Sequence, residues 1–275
     1  MNAPPALTFA ALDGLAFAAA RNRLGALPAG TVYAGRALGP FLELSQLAGA
    51  GLLPRPGDAP WLAPGSLHAF DAALRSGRKQ WICPDGASAG FFRMGAEWSE
   101  DNTPWIGFQL AAQKAAAAMG FHRRTAAQFV AALGEMFSNV HEHSGAPSSG
   151  IAAFVGGRDA FEFAVADSGI GVRDSLRSCK NYADLTDDGK ALRLALTDGV
   201  SRFGSQSGRG KGFRPIFVGL ANLSGALRFR SGDHALVIDG QKIGNMSAVT
   251  AQKVHLPGFL ASVSCLLNAN GQSQV

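Results

Sequence analysis

The stretch Val165-Ala-Asp-Ser-Gly-Ile-Gly-Val172, "VADSGIGV", decides how this chain is read. An apolar run from Phe161 to Ala166 has strand character and ends in a carboxylate, Asp167, followed by glycines at alternate positions, Gly169 and Gly171. That is a strand running into a tight turn. Upstream, Ile151 to Val155 predicts a second strand, joined to the first in hairpin fashion through Gly156-Gly157-Arg158-Asp159. Before the hairpin, Ala126, Phe129, Val130, Leu133, Phe137 and Val140 recur at helical spacing and predict a helix from about Thr125 to His143, preceded by another from Ile106 to Met119. On the later helix Glu135 and Asn139 are four residues apart and share one face, which His143 extends by a turn.

Downstream comes a polar, Asp-rich stretch with a short helix around Lys190 to Val200, then "SGRGKGF" (Ser207 to Phe213), a helix from Phe213 to about Leu223, and strands at Ala226 to Arg230, Ala235 to Asp239 and Phe259 to Leu267. "SGRGKGF" looks like a phosphate loop but fits neither common template. A Walker loop requires glycine where Ser205 stands and Ser or Thr where Gly212 stands. A dinucleotide fingerprint requires its third glycine one residue later and a strand in front. The glycines Gly208, Gly210 and Gly212 instead suit an anion nest of backbone N–H groups at a helix N-terminus.

Residues 1 to about 100 are rich in Ala, Gly and Pro, with short helices expected near Leu15 to Arg23, Phe41 to Leu52 and Ser66 to Arg75, and a strand pair at Gln80 to Cys83 and Ala89 to Met94. At 275 residues and 47% hydrophobic the chain can bury one large core or two small ones. Its formal charge of +5 is spread out, so it hints only weakly at an anionic partner, and a nucleotide satisfies the hint as well as nucleic acid does. Cys83, Cys179 and Cys265 are odd in number and far apart, which predicts buried thiols and no structural zinc. The apolar first twenty residues lack a basic leader and are interrupted by Asp13, so they read as mature sequence; no run is long enough to span a membrane, and a cytoplasmic location is expected.

Taken singly, each feature is commonplace: Glu and Asn on a helix face, Asp-x-Gly-x-Gly after a strand, Gly-x-Gly-x-Gly before a helix. In this order they resemble the GHKL, or histidine kinase-like, ATPase superfamily. "EMFSNVHEHS" (Glu135 to Ser144) is similar to its N box, "VADSGIGV" to its G1 box and "GRGKGF" (Gly208 to Phe213) to its G2 box, and the resemblance covers roughly residues 105 to 270. It implies an α+β fold, a two-layer α/β sandwich of the Bergerat type with a mixed β-sheet, in residues 105–275, preceded by a smaller α/β region of unknown role in residues 1–104. It implies ATP and Mg²⁺ as cofactors, with Asn139 as metal ligand and Glu135 as the catalytic base toward water. Asp167 with Gly169 and Gly171 would receive adenine, and Gly208, Gly210, Lys211 and Gly212 would lie at the phosphates.

Residues 172–207 would form a lid ordered by the γ-phosphate. The expected activity is ATP hydrolysis or phosphotransfer to a regulatory protein partner; the alternative is an ATP-switched interaction module without turnover, in the manner of anti-sigma factors. Nucleic acid is not an expected partner, no membrane partner is expected, and a homodimer stays open. Two departures qualify the match. Lys211 stands where relatives often carry an apolar residue, and Phe259 stands where many carry a Thr whose hydroxyl helps a water reach adenine. His141 and His143, two apart on a helix, point away from each other and cannot share one ion. His68 lacks the neighbours of a phosphoacceptor.

Overall fold

The computed structural model describes residues 5–21, 32–33, 37–63, 65, 67–86, 88–157, 160–196, 225–239 and 248–267. Two long helices follow the predicted periodicity. Helix α4 (Thr103–Ala118) starts at Asn102, whose side chain accepts from Trp105 N at 3.3 Å, with Pro104 in the first turn where its missing N–H costs nothing. Helix α5 (Arg123–His143) buries Ala126, Phe129, Leu133, Phe137 and Val140 of the predicted stripe, leaves Val130 only partly buried against the core, and adds Met136 to the buried face.

Both helices lie on a six-stranded sheet of order β3 (Gln80–Ile82), β4 (Ala89–Arg93), β5 (Ile151–Gly157), β6 (Ala160–Asp167), β8 (Val249–Leu266), β7 (Gly225–Asp239). Every neighbouring pair is antiparallel, so the expected mixed sheet is corrected. The reason is connectivity: β3–β4 and β5–β6 are hairpins, and β8 lies between β6 and β7, antiparallel to both. Among the described residues, parallel pairing joins β1 (Val32–Tyr33) to β2 (Leu62–Ala63) in a separate small sheet, with an isolated parallel bridge from Ala6 to Tyr33. The strands expected at Ala226 to Arg230 and Ala235 to Asp239 are one strand, β7, kinked by register shifts around Ser231, Gly232 and His234.

The sheet is covered on both faces, and strand alternation shows how. Phe92, Phe154, Phe161, Phe163, Val165 and Ala261 join the core under α4 and α5. Their neighbours Phe91, Ala153, Val155, Ala164, Ala166 and Leu260 join a second core with α1 (Phe9–Ala20), α2 (Leu38–Gly49) and α3 (His68–Arg75). The architecture is therefore α+β in three layers rather than two, because both faces of β4, β5 and β6 are apolar and must be covered. A boundary at 104/105 does not separate two sheets, since β4 pairs with β5 across it.

Polar contacts fix this second layer. The Glu162 carboxylate on β6 accepts from Leu38 N at 2.8 Å and so caps the start of α2. Glu43, on the same helix and 1% exposed, binds Arg228 at 2.9 Å and Arg230 at 3.1 Å, both on β7, and Asp13 of α1 joins Arg228 at 2.6 Å. Of the three cysteines, Cys265 is buried as expected, whereas Cys83 and Cys179 are partly exposed, and all are free thiols. No described helix is long and apolar enough to cross a membrane.

Candidate functional site

Asp167 closes β6. Following the alternation of Phe161, Phe163 and Val165, its side chain lies on the face covered by α5. It is 4% exposed, and its Oδ1 accepts from Gly169 N at 2.8 Å. Among the described residues no cation lies within ion-pair range of it, and its second oxygen has no donor. Burial pushes its carboxyl up to about 6, against the smaller opposing pull of the Gly169 N–H.

The turn after Asp167 is held from three sides. Ser168 N donates to Ser149 Oγ at 3.0 Å, Ile170 N to the Ser144 carbonyl at 2.8 Å, and Val172 N to Ser231 Oγ at 3.0 Å. Ser231 Oγ in turn donates to the Gly258 carbonyl at 2.8 Å. The glycines are required by this packing. A Cβ on Gly169 would overlap the Ser144 carbonyl, and Gly171 has φ +75° with Ser231 Oγ 2.7 Å from where a Cβ would stand. Four N–H groups of the turn, those of Ser168, Gly169, Ile170 and Val172, are therefore already paired, while the Asp167 carboxylate keeps an oxygen able to accept a further hydrogen bond. Such a group selects a hydrogen-bond donor, such as an amino group, rather than an anion.

The Ser144 contact brings this turn against the C-terminal end of α5, the end that carries Asn139 and His143. Asn139 is half-buried and Glu135, one turn earlier, is exposed. His141 is exposed with its ring 5.3 Å from that of Trp98, and His143 is half-buried with Nε2 3.9 Å from Glu142. His68 is exposed in the first turn of α3. Among the described residues no group of three or more His, Cys, Asp or Glu side chains is placed to hold a metal ion. Asn139 and Glu135 can thus serve an ion only together with oxygens that a ligand brings.

Residues 172–196 of the expected lid are held in place as two helices, α6 (Gly171–Arg177) and α7 (Asp188–Ala195). Leu176, Leu185 and Ala191 form a small core of their own, and Leu192 reaches the main one. Asp188 accepts from Asp233 N at 3.1 Å and lies 3.4 Å from Arg173, which ties α7 to the kink of β7. Burial pushes the Asp188 carboxyl up. Gly208, Gly210, Lys211 and Gly212, and the helix expected after them, lie outside the described residues. Phe259 pairs with Asp167 in the β6–β8 ladder and is buried, its ring 5.7 Å from that of Phe229.

The structure adds residues that the motifs did not contain. Gln46 on α2 donates through Nε2 to the carbonyls of Asp167, at 2.7 Å, and Phe259, at 3.1 Å. Ser144, Ser149 and Ser231 position the turn. Their sequence signal is slight, since serines in "HSGAPSSG" and "RSG" read as ordinary turn residues, although Glu43 and Gln46 inside the apolar run of α2 mark polar groups in need of buried partners. Comparison with protein-family models, with curated proteins and with solved structures finds no match.

Proposed function

We propose that this chain is a Mg²⁺-dependent ATP-binding protein of the histidine kinase-like type, which hydrolyses ATP or passes its γ-phosphate to a partner protein. The observation that carries the reading is Asp167: a carboxylate buried at a strand end, with no cation beside it among the described residues, in a turn most of whose own N–H groups are already paired. Ionised burial of this kind is costly unless a ligand donor completes it, and the adenine amino group is such a donor. Asn139 and Glu135 stand on the helix whose end abuts that turn. A Mg²⁺ ion takes most of its oxygens from phosphates and water and needs only one or two from protein, a demand that Asn139 can meet.

In this reading Asp167 accepts from the base, and Gly169 and Gly171 keep the turn tight enough to hold that carboxylate in place. The Asn139 carboxamide oxygen would hold the ion. Glu135 orients or deprotonates the attacking water for hydrolysis, or the attacking side chain for transfer. Mg²⁺, when bound, neutralises charge on the phosphates. The polypeptide's own contribution is alignment, because α5 and the turn are fixed to each other through Ser144.

A second reading, an ATP-switched interaction module without turnover, is favoured by Gln46. Its bonds to Asp167 and Phe259 give the layer formed by α1, α2 and α3 a direct mechanical link to the base-binding turn. One experiment separates the readings: incubation with γ-labelled ATP and Mg²⁺, with and without cell extract, following free phosphate and labelled protein together. Free phosphate supports hydrolysis, label on protein supports transfer, and binding without either supports the switch. Calorimetry showing no ATP binding at all removes all three.

A further inference from the structure

On the face of the sheet away from α5, between α2, α3 and the ends of β4, β5 and β6, lies an open cleft of about 490 Å³. Its lining includes Gln46, Arg55, Arg75, Arg93, Ser149 and Ser168. The volume falls within the range of small-molecule sites, about 300–1,000 Å³. The Asp167 carboxylate does not account for it, because the cleft is reached from the opposite side of β6.

Its charge is unbalanced. Arg75 is neutralised by Asp71, with Nε 2.8 Å from the carboxylate. Arg93 has no such partner among the described residues. Its Nη2 donates to the Leu74 carbonyl at 3.0 Å, which orients the guanidinium, while its Nε is buried with no hydrogen bond. Arg55 is exposed at the rim. A half-buried guanidinium held by one neutral carbonyl and the Phe91 ring, 5.9 Å away, still lacks the oxyanion that such a planar fork matches best. The serines add neutral groups beside it: Ser149 Oγ already links the Ser168 N–H to the Ala146 carbonyl, which makes that wall rigid.

We propose that this cleft is a binding site for a small organic oxyanion, a carboxylate or a phosphate ester, received by Arg93 with Arg55 at the rim. The site also touches the turn on the far face. Gln46 lines the cleft and holds the carbonyls of Asp167 and Phe259, and Ser168 lines it while belonging to the turn itself. An occupant therefore tightens the 167–172 turn from behind. The proposal stands whether or not the chain binds ATP.

The test uses the full chain and two probes, inorganic phosphate and succinate, titrated at an ionic strength held constant with chloride. Thermal unfolding and hydrogen exchange at the 167–172 amides are the readouts. At least one probe is expected to give a saturable rise in Tm with slower exchange in the turn. Succinate alone identifies a carboxylate ligand, and phosphate alone a phosphate ester. Arg93→Gln should weaken the response by about tenfold or more, the loss of a charge-assisted bond. Arg55→Gln, at an exposed position that cannot threaten the fold, should weaken it several-fold. The proposal is overturned by the absence of a saturable response to either probe. It is equally overturned by a response that persists unchanged in both arginine variants, which would place the anion elsewhere, the phosphate end of a nucleotide site included.

Discussion

The side-chain amide of Gln46 donates to the main-chain carbonyl of Asp167 at 2.7 Å, joining α2 to the end of β6 across 121 positions of sequence. Both groups within reach of Nε2 are carbonyl oxygens, so the amide can face them in one orientation only. Gln46→Ala leaves both oxygens without this donor and is expected to cost about 1–3 kcal/mol in urea unfolding. Gln46→Glu should cost more than Gln46→Ala, because it turns an acceptor toward two acceptors. A Glu variant as stable as the native chain would remove this bond from the account.

Asp167 couples stability to pH. Its carboxyl is raised from 3.8 to about 6 by burial, so the folded chain binds this proton more tightly than the unfolded chain does. The contribution is fully present below about 3.8 and is lost as pH rises through about 6. Asp167→Asn keeps an acceptor for Gly169 N without the charge. It should be more stable than the native chain at pH 7, by up to about 3 kcal/mol for a shift of this size, and should flatten the pH profile between those limits. Under the proposed function the same variant loses ATP binding, since its amide must present oxygen to Gly169 and has no second acceptor for the base. Thermal melts across pH and calorimetry with ATP read the two effects separately.

Much of this arrangement was legible in the sequence, and the gaps have physical causes. Helix α5 and strands β5 and β6 follow from apolar periodicity, because each buries a continuous stripe of its own residues. The three-layer architecture was not legible, because the alternating small residues Ala153, Ala164 and Ala166 read as filler until α2 is seen lying on them. The antiparallel order, with β8 between β6 and β7, depends on long-range pairing that local pattern does not encode. At the site, Asp167, Gly169 and Gly171 stood out by spacing, whereas Gln46 and Ser231 act only through partners far away in sequence.

Glycine at 169 is a packing requirement, which makes it separable from a binding role. Gly169→Ala places a methyl group on the Ser144 carbonyl and should cost about 1–3 kcal/mol through displacement of the turn from α5. Gly107→Ala, in α4 with open space around its Cβ position, should instead stabilise the chain by about 0.5–1 kcal/mol. Chemical denaturation of the two variants side by side checks both signs.

Glu135 is exposed on α5, so its removal probes chemistry with little effect on the fold. Glu135→Ala is expected to bind Mg²⁺-ATP with native affinity and to release phosphate at least about a hundredfold more slowly, the usual scale for a lost general base. Asn139→Ala should lose the Mg²⁺ dependence of binding. Rapid-quench assays and calorimetry with and without Mg²⁺ distinguish the two, and native turnover in the Glu135 variant would remove that residue from the mechanism.

Glu43 is the residue on which the docking of α2 turns. It lies between Arg228 and Arg230, all three are nearly inaccessible, and Asp13 and Lys253 complete the cluster, with Lys253 Nζ 2.7 Å from Asp13. The cluster carries more positive than negative charge, so removing one carboxylate leaves two buried guanidinium groups with a single acid nearby. Desolvated charges stripped of a partner cost far more than an exposed pair returns, and Glu43→Ala is expected to destabilise the chain by about 3–5 kcal/mol. Glu43→Gln keeps the shape and the acceptor oxygen but not the charge, and should fall between the two. The loss should concentrate where α1 and α2 meet β7 and β8, so hydrogen exchange must accelerate there before it does in α4 and α5. Uniform acceleration across both helical layers would show instead that the layers unfold as one unit and that the cluster is not their latch.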